Sequence, residues 1–397
     1  MPSNSPTDPQ PLSFDNTEIA FRGKNNKDLS RAYWLFKVIS SNFLTRIGPP
    51  VTNFAMKTGL PIKGLIKATI FRQFCGGETI GECEQTIRQL ASGKVGTILD
   101  YSVEGEEKES VFTLTAEEII KTIRRATGDP SVPITVFKIT GVGRFGLLAK
   151  LDAGNELTNA EHVEYVKLKG RVDMICRAAA DAEVPVMIDA EESWIQDTID
   201  KLALDMMQRY NRDAVIVYNT YQLYRHDKLV SLQKDAARAK SSGFILGAKL
   251  VRGAYMEKER KRAEERGYPS PIQPDKASTD RDYDLALQFC LDHTAQVAIV
   301  AGTHNEESCR LLCQLMAERG ISPGNRHVFF SQLLGMSDNL SFNLADAGYH
   351  VAKYVPYGPV EAVLPYLFRR AQENTSIAGQ TGRELGLIVK EKKRRKI

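Results

Sequence analysis

A chain of 397 residues, 42% apolar and 26% charged, can bury a sizeable core, and its profile is that of an ordinary soluble globular protein with one large domain or two modest ones. Its 53 basic and 49 acidic residues leave a net charge of +4, and six of the basic groups sit in the run Lys390-Glu391-Lys392-Lys393-Arg394-Arg395-Lys396, so no basic footprint spreads over a folded face and nucleic-acid binding is not expected. No run reaches the roughly 18 to 20 apolar residues of a membrane span, no signal or transit peptide is visible, and no metal-ligand spacing occurs among the cysteines and histidines, so no metal is expected.

Residues 1–27, rich in Pro, Ser, Asn and Asp, are expected to lack fixed structure. Over 28–92 the pattern is helical: Leu29, Tyr33, Leu35, Phe36, Ile39 and Phe43 recur at helical spacing, Ile47-Gly48-Pro49-Pro50 ends that run, and a second helix over 80–90 follows the break Gly76-Gly77. Short apolar runs then alternate with amphipathic stretches, which predicts strands at 95–101, 134–139, 184–188, 214–218, 245–251, 297–300, 328–330 and 351–355. Eight such runs separated by helices is the count of a closed α/β structure, the (β/α)8 TIM barrel, here expected over 93–380 with 381–397 as a basic tail. An open doubly wound sheet has the same rhythm but usually fewer strands.

A barrel of this kind carries its chemistry at the carboxyl ends of its strands. Polar residues collect there: Asp100 and Glu104, Lys138, Asp189 with Glu191 and Glu192, Asn219 and Gln222, Lys249 and Arg252, Thr303-His304-Asn305, Gln332, and Tyr354. Lys138 and Asp189 end neighbouring predicted strands and, pointing inward, are expected to pair, either as a structural ion pair or within a site. Gly253 and Ala254 remove bulk at a strand end, which lets a flat ligand approach the backbone. After the last strand, Tyr366, Arg369, Arg370 and Glu373 share an arc of roughly 100° on a predicted helix, which suits a carboxylate grip, the alternative being a solvated stripe. The segment Gly141-Val142-Gly143-Arg144-Phe145-Gly146 matches a dinucleotide fingerprint, but the bulk of Arg144 and Phe145 and the want of a second mononucleotide half favour a glycine-rich loop over an NAD-dependent dehydrogenase.

The ordered segments Asp189-Ala190-Glu191-Glu192, Lys249 to Tyr255, Thr303-His304-Asn305, Leu333-Leu334-Gly335-Met336, Tyr354-Val355-Pro356-Tyr357-Gly358 and Tyr366 to Asn374 resemble those of the proline dehydrogenase family, from about Phe71 onward. The resemblance implies a distorted (β/α)8 barrel that binds FAD, oxidises L-proline to Δ1-pyrroline-5-carboxylate by hydride transfer to flavin N5, and passes electrons to a membrane quinone such as ubiquinone. The forms Leu250-Val251-Arg252-Gly253-Ala254-Tyr255 and Tyr354-Val355-Pro356-Tyr357-Gly358 are similar to the monofunctional eukaryotic branch, which implies a mitochondrial location at the matrix side of the inner membrane. By the same resemblance Arg369 and Arg370 clamp the proline carboxylate, and Glu104 pairs with the first arginine. Lys138, Leu333, Tyr354 and Tyr366 line the proline ring, with Asp189 holding Lys138. Asn219, Lys249, Val251, Gly253, Ala254, Tyr255, Met256, Lys276, Thr303, His304, Asn305, Gln332 and Glu373 border FAD, as do Asp189 and Arg370. Tyr354 stands where hydroxyproline-preferring relatives have a smaller residue, which favours proline over hydroxyproline, and the basic tail is expected to help peripheral docking on an anionic membrane.

Overall fold

Eight parallel strands with apolar residues on both faces leave no exposed edge when the sheet closes on itself, with one face in a lumen and the other under helices. The computed structural model describes residues 12–39, 63–102, 107–376 and 380–397. In it β1 (Gly96–Tyr101), β2 (Ile134–Lys138), β3 (Val186–Asp189), β4 (Val217–Gln222), β5 (Leu246–Val251), β6 (Val297–Gly302), β7 (Val328–Leu333) and β8 (Val351–Tyr357) form a closed barrel in chain order. All neighbours pair in parallel, including β1 with β8. Ile98, Val136, Met187, Tyr218, Val300 and Tyr354 meet in the lumen, while Leu99, Phe137, Ile188, Val217, Leu250, Ile299 and Val355 face the surrounding helices. This is the two-residue period of a strand, read on both sides of one wall.

All eight predicted strands are present, with one shift. The fourth was expected over 214–218 and lies at Val217–Gln222, because its second half is polar yet buried. Asn219 donates through Nδ2 to Asp200 Oδ1 at 2.9 Å and the Thr220 hydroxyl donates to the Ile188 carbonyl at 2.8 Å. Upstream, Asn211 accepts from the backbone N–H of Ile216 and Val217 at 3.0 and 2.8 Å, a stitch that sets where the strand begins.

Both chain ends depart from expectation. Residues 12–27 were expected to lack fixed structure, but Phe14 and Phe21 are buried, and Asn16 caps a short helix, Thr17–Ala20. Lys24 also pairs with Asp338 at 2.7 Å. The basic tail is a helix, Gln380–Arg394. Its Leu387 and Ile388 pack on Ala20, Phe21, Leu29, Ala32 and Phe36, the last three from the helix Asn26–Ile39. Arg395 donates to the carbonyls of Phe21 and Lys24 at 2.7 and 2.6 Å, and the buried Glu391 accepts from Arg394 and Arg395. Apolar burial holds the helix in place, and the Glu391 carboxylate and backbone carbonyls engage Arg394 and Arg395 of what the sequence presents as a loose patch. At the other end of the helical region, Gly76 donates to the Pro356 carbonyl at 2.9 Å and Gly77 bridges Tyr357. A Cβ on Gly76 would lie 2.5 Å from Val355 Cγ1, so the contact requires glycine.

Candidate active site

The inward side chains at the carboxyl end of the lumen are charged, and they are engaged with one another. Lys249 Nζ on β5 lies 2.6 Å from Asp189 Oδ1 on β3 and 2.6 Å from the Tyr354 hydroxyl on β8. Tyr354 in turn donates to Asp189 Oδ1 at 3.2 Å, and its ring lies 4.6 Å from the lysine nitrogen. Burial, with the carboxylates of Asp189 and Asp100 nearby, pushes the Tyr354 phenol well above its ordinary value, so the hydroxyl stays protonated and can donate. A cation buried in this way is tolerable only because a carboxylate and a phenol oxygen both face it. The carboxylate expected to serve Lys138 is thus engaged by Lys249, although Lys138 stands in register with Asp189 on the adjoining strand.

Behind this triad lies a second buried carboxylate. Glu191 accepts from the Thr140 N–H at 3.1 Å and from the Thr140 hydroxyl, while its own carbonyl accepts from Gln222 Nε2 at 2.7 Å. It ties the ends of β2, β3 and β4 together. Burial raises its carboxyl to about 7, against the lowering pull of Thr140 and Lys138.

The mouth is covered by the helix Val360–Ser376. Its Val360, Val363, Leu364, Tyr366 and Leu367 form one cluster, and Leu333, at the end of β7, packs against both that cluster and the lumen. Leu333 is therefore the residue shared by barrel and cover. Tyr366 and Arg370 are buried, with the guanidinium 5.0 Å from the phenol ring, and Arg369 is half-buried beside them. Glu104 lies outside the described residues, and the Glu373 side chain outside the described side chains.

The remaining strand-end residues form a rim. Arg252 donates to Asp280 Oδ1 at 2.7 Å, to the Thr303 hydroxyl at 2.8 Å and to the Ser308 hydroxyl at 3.0 Å. Lys276 pairs with the same Asp280, so two cations share one carboxylate there. Thr303 also accepts from the Asn305 N–H at 3.0 Å, and the Asn305 side chain caps the helix Glu306–Glu318. His304 Nε2 accepts from the Leu333 N–H at 3.4 Å, which leaves Nδ1 protonated to donate to the Ser337 hydroxyl at 2.9 Å. Desolvation, then Lys353, Arg370 and Arg252, lower the imidazole to about 3, so it stays neutral. Gly253, Ala254 and Met256 are exposed at the lip, and Tyr255 is half-buried.

A flat, electron-poor ring with a pyrophosphate arm fits these groups. Beside Lys249 the wall carries no side chain at Gly302, where a Cβ would crowd Val251 Cγ1 at 3.0 Å and the Leu250 carbonyl at 3.2 Å. The rim also carries the cationic surplus of Arg252 and Lys276 over Asp280. A buried ammonium suits a ring that gains negative charge on reduction.

Two expected cofactor contacts point elsewhere. Asn219 turns outward to Asp200, and Gln332 turns outward too, donating to the Thr303 carbonyl at 3.1 Å and accepting from Ser341. The residue on the inner face of β4 is Gln222, buried and two steps on from Thr220. Gln222 was already among the polar residues at this strand end, and counting by twos from Tyr218 gives its inward face. In the glycine-rich loop, a Cβ on Gly143 would meet Leu168 Cδ1 at 2.7 Å, and Arg144 grips Glu164 with two hydrogen bonds of 2.9 and 2.8 Å. Gly143 and Arg144 therefore serve helix packing. Among the described residues no group of His, Cys, Asp or Glu could hold a metal ion.

Fold and site together define an enzyme of the (β/α)8-barrel class. The sequence profile of the family described as Proline dehydrogenase matches residues 83–383. The chain belongs to the proline dehydrogenase family, oxidoreductases that act on a CH–NH bond. It is 33% identical over 430 residues to "Proline dehydrogenase 1, mitochondrial" of Dictyostelium discoideum, with 97% of this chain and 75% of that protein covered. It is 31% identical over 428 residues to "Hydroxyproline dehydrogenase" of Xenopus laevis, covering 97% of this chain and 90% of that protein. Of the Drosophila melanogaster and human proteins named "Proline dehydrogenase 1, mitochondrial", the chain spans 34% and 41%. The solved structure of proline utilization A (PutA) from Bdellovibrio bacteriovorus superposes with a TM-score of 0.72 at 20% identity, covering 94% of this chain and 40% of that one, a likeness of fold.

Proposed function

We propose that this chain oxidises L-proline to Δ1-pyrroline-5-carboxylate with FAD as its cofactor and passes the electrons to a membrane quinone such as ubiquinone, the first step of proline catabolism. The observation that carries the reading is the buried Lys249–Asp189–Tyr354 triad beneath a cover helix bearing Arg369 and Arg370. When bound, the flavin supplies a two-electron acceptor at N5. The arginines hold the substrate carboxylate by charge-assisted bonds. Leu333, Tyr354 and Tyr366 border the ring, with Lys138 at its polar side. Lys249 stabilises negative charge on the reduced cofactor. Gln222, Val251, Gly253, Ala254, Tyr255, Met256, Lys276, Thr303, His304 and Asn305 complete the wall and rim around it. A mitochondrial location accords with the names of the relatives, and the matrix side of the inner membrane is the proposed place within it. The quinone is reached by peripheral docking; among the described residues no helix is long and apolar enough to cross a membrane.

The test is anaerobic. Purified protein is expected to be yellow, or to become so with FAD, and to bleach on adding L-proline; a colourless protein that FAD cannot reconstitute sinks the proposal. Hydroxyproline is the second reading, favoured by the Xenopus relative's name. Against it, the Tyr354 hydroxyl is already fixed by Lys249 and Asp189, leaving the tyrosine no freedom to withdraw from a substituted ring. Comparing kcat/KM for the two substrates decides.

A further inference from the structure

The C-terminal helix carries a buried acid into the wall of the site. Glu384 accepts from the Ser337 N–H, and Ser337 occupies the left-handed region at φ 49°, which a residue with a Cβ rarely adopts. Beside it Asp338 pairs with Lys24 at 2.7 Å and with Lys353 at 2.9 Å. Two cations and two carboxylates from four separate segments thus hold one turn. That turn presents the Ser337 hydroxyl to His304 Nδ1 at 2.9 Å, and His304 Nε2 accepts from the Leu333 N–H at 3.4 Å. Burial, with Asp338 nearby, raises the Glu384 carboxyl above its ordinary value, a cost that a freely placed surface acid would not bear.

We propose that Glu384 is a positioning residue for the substrate pocket, acting through Ser337 and His304 on Leu333. The kinetic direction of the effect rests on the reading of the site as a proline pocket. The relay fixes the histidine tautomer and thereby the Leu333 backbone, the point where barrel and cover helix meet. Proline KM should respond more than kcat.

In the FAD-loaded enzyme, S337G removes the hydroxyl while relieving the left-handed strain, and is expected to raise the proline KM about 5- to 10-fold, the loss of one hydrogen bond, without lowering the melting temperature. E384A should raise KM similarly, and the double variant should exceed the worse single by no more than about twofold, since the residues act as one chain. An S337G enzyme with wild-type KM, or single effects that multiply in the double variant, would overturn the relay. Nitrogen NMR of the imidazoles in flavin-free protein tests it apart from any substrate. The Nδ1-protonated signal of His304, assigned by its loss in H304N, should shift in both S337G and E384A. An unshifted signal overturns the proposal even where proline oxidation stands, and a shifted one upholds it even where proline fails to bleach the flavin.

Discussion

Lys249 and Asp189 stand two strands apart in the barrel wall, and their charged ends meet at 2.6 Å inside the lumen, with only 7% and 14% of the side chains exposed. Removing one partner strands the other charge in a medium that solvates it poorly. K249M is therefore expected to cost about 3 kcal/mol of stability or more and to weaken FAD retention, whereas K249R keeps both. Denaturant melts and flavin content after gel filtration would measure this, and wild-type values for K249M would refute the pairing's importance.

The two arginines of the cover helix make a separate claim. A desolvated charge-assisted hydrogen bond contributes about 1.5–3 kcal/mol, so R369M and R370M are each expected to raise proline KM by roughly 10- to 100-fold. Because Arg370 also lies on the Tyr366 ring at 5.0 Å, R370M should cost stability as well. Steady-state kinetics at saturating acceptor, paired with thermal melts, would separate the two effects. Unchanged KM in both variants would remove the carboxylate clamp.

The barrel was legible because its eight strands announce themselves by apolar runs, and the lumen's charged end was legible because polar residues gathered where those runs stop. What the sequence hid was partnership across the barrel. Lys138 and Asp189 looked paired because their strands adjoin, yet Lys249 reaches Asp189 over an intervening strand, a distance set by lumen diameter that strand order does not encode. Asn219 and Gln222 both stood at the end of β4 in the sequence, and the resemblance chose Asn219; with Tyr218 in the lumen the two-residue period turns Asn219 outward to Asp200 and Gln222 inward. Nothing in the local sequence around Glu384 marks it as buried or paired. Its partners, Ser337 and the Lys24–Asp338–Lys353 set, come from distant parts of the chain.

Tyr354 offers a test of substrate choice. Its hydroxyl is fixed between Lys249 at 2.6 Å and Asp189 at 3.2 Å. Y354S would open the wall against which a ring substituent would press, and is expected to raise kcat/KM for hydroxyproline relative to proline by about tenfold, one or two methylene-sized contacts' worth of discrimination. An unaltered ratio would show that the tyrosine does not set the preference.

Glu191 gives a stability signature. Its carboxyl is raised from 4.5 to about 7 by burial, with Lys138, Glu192 and Thr140 as the facing groups named by its environment. Between those values the folded state holds a proton that the unfolded chain has released, so stability falls as pH rises through that window and levels above it. The drop is worth up to about 3 kcal/mol. E191Q, which stays neutral and can still face Thr140, is expected to flatten the profile and to be the more stable protein at pH 8. Urea melts across the pH range decide, and parallel profiles would disprove the assignment.

The C-terminal helix changes what a truncation should do. If 391–397 were a loose basic tail, deleting it would abolish membrane attachment and leave the fold alone. Here the deletion removes the buried Glu391 and the Arg395 bonds to the Phe21 and Lys24 carbonyls, and it loosens Leu387 and Ile388 over Phe21, Leu29 and Phe36. Several buried contacts of about 1 kcal/mol each are lost together, so the expected result is a lower melting temperature with FAD lost before the barrel unfolds. Substituting only Lys393 and Lys396, both exposed, by Gln leaves those contacts in place. Reduced binding to anionic liposomes in that variant, at an unchanged melting temperature, would return a docking role to the helix end. Full liposome binding in it, beside a destabilised truncation, would make the helix a strap joining the two ends of the chain.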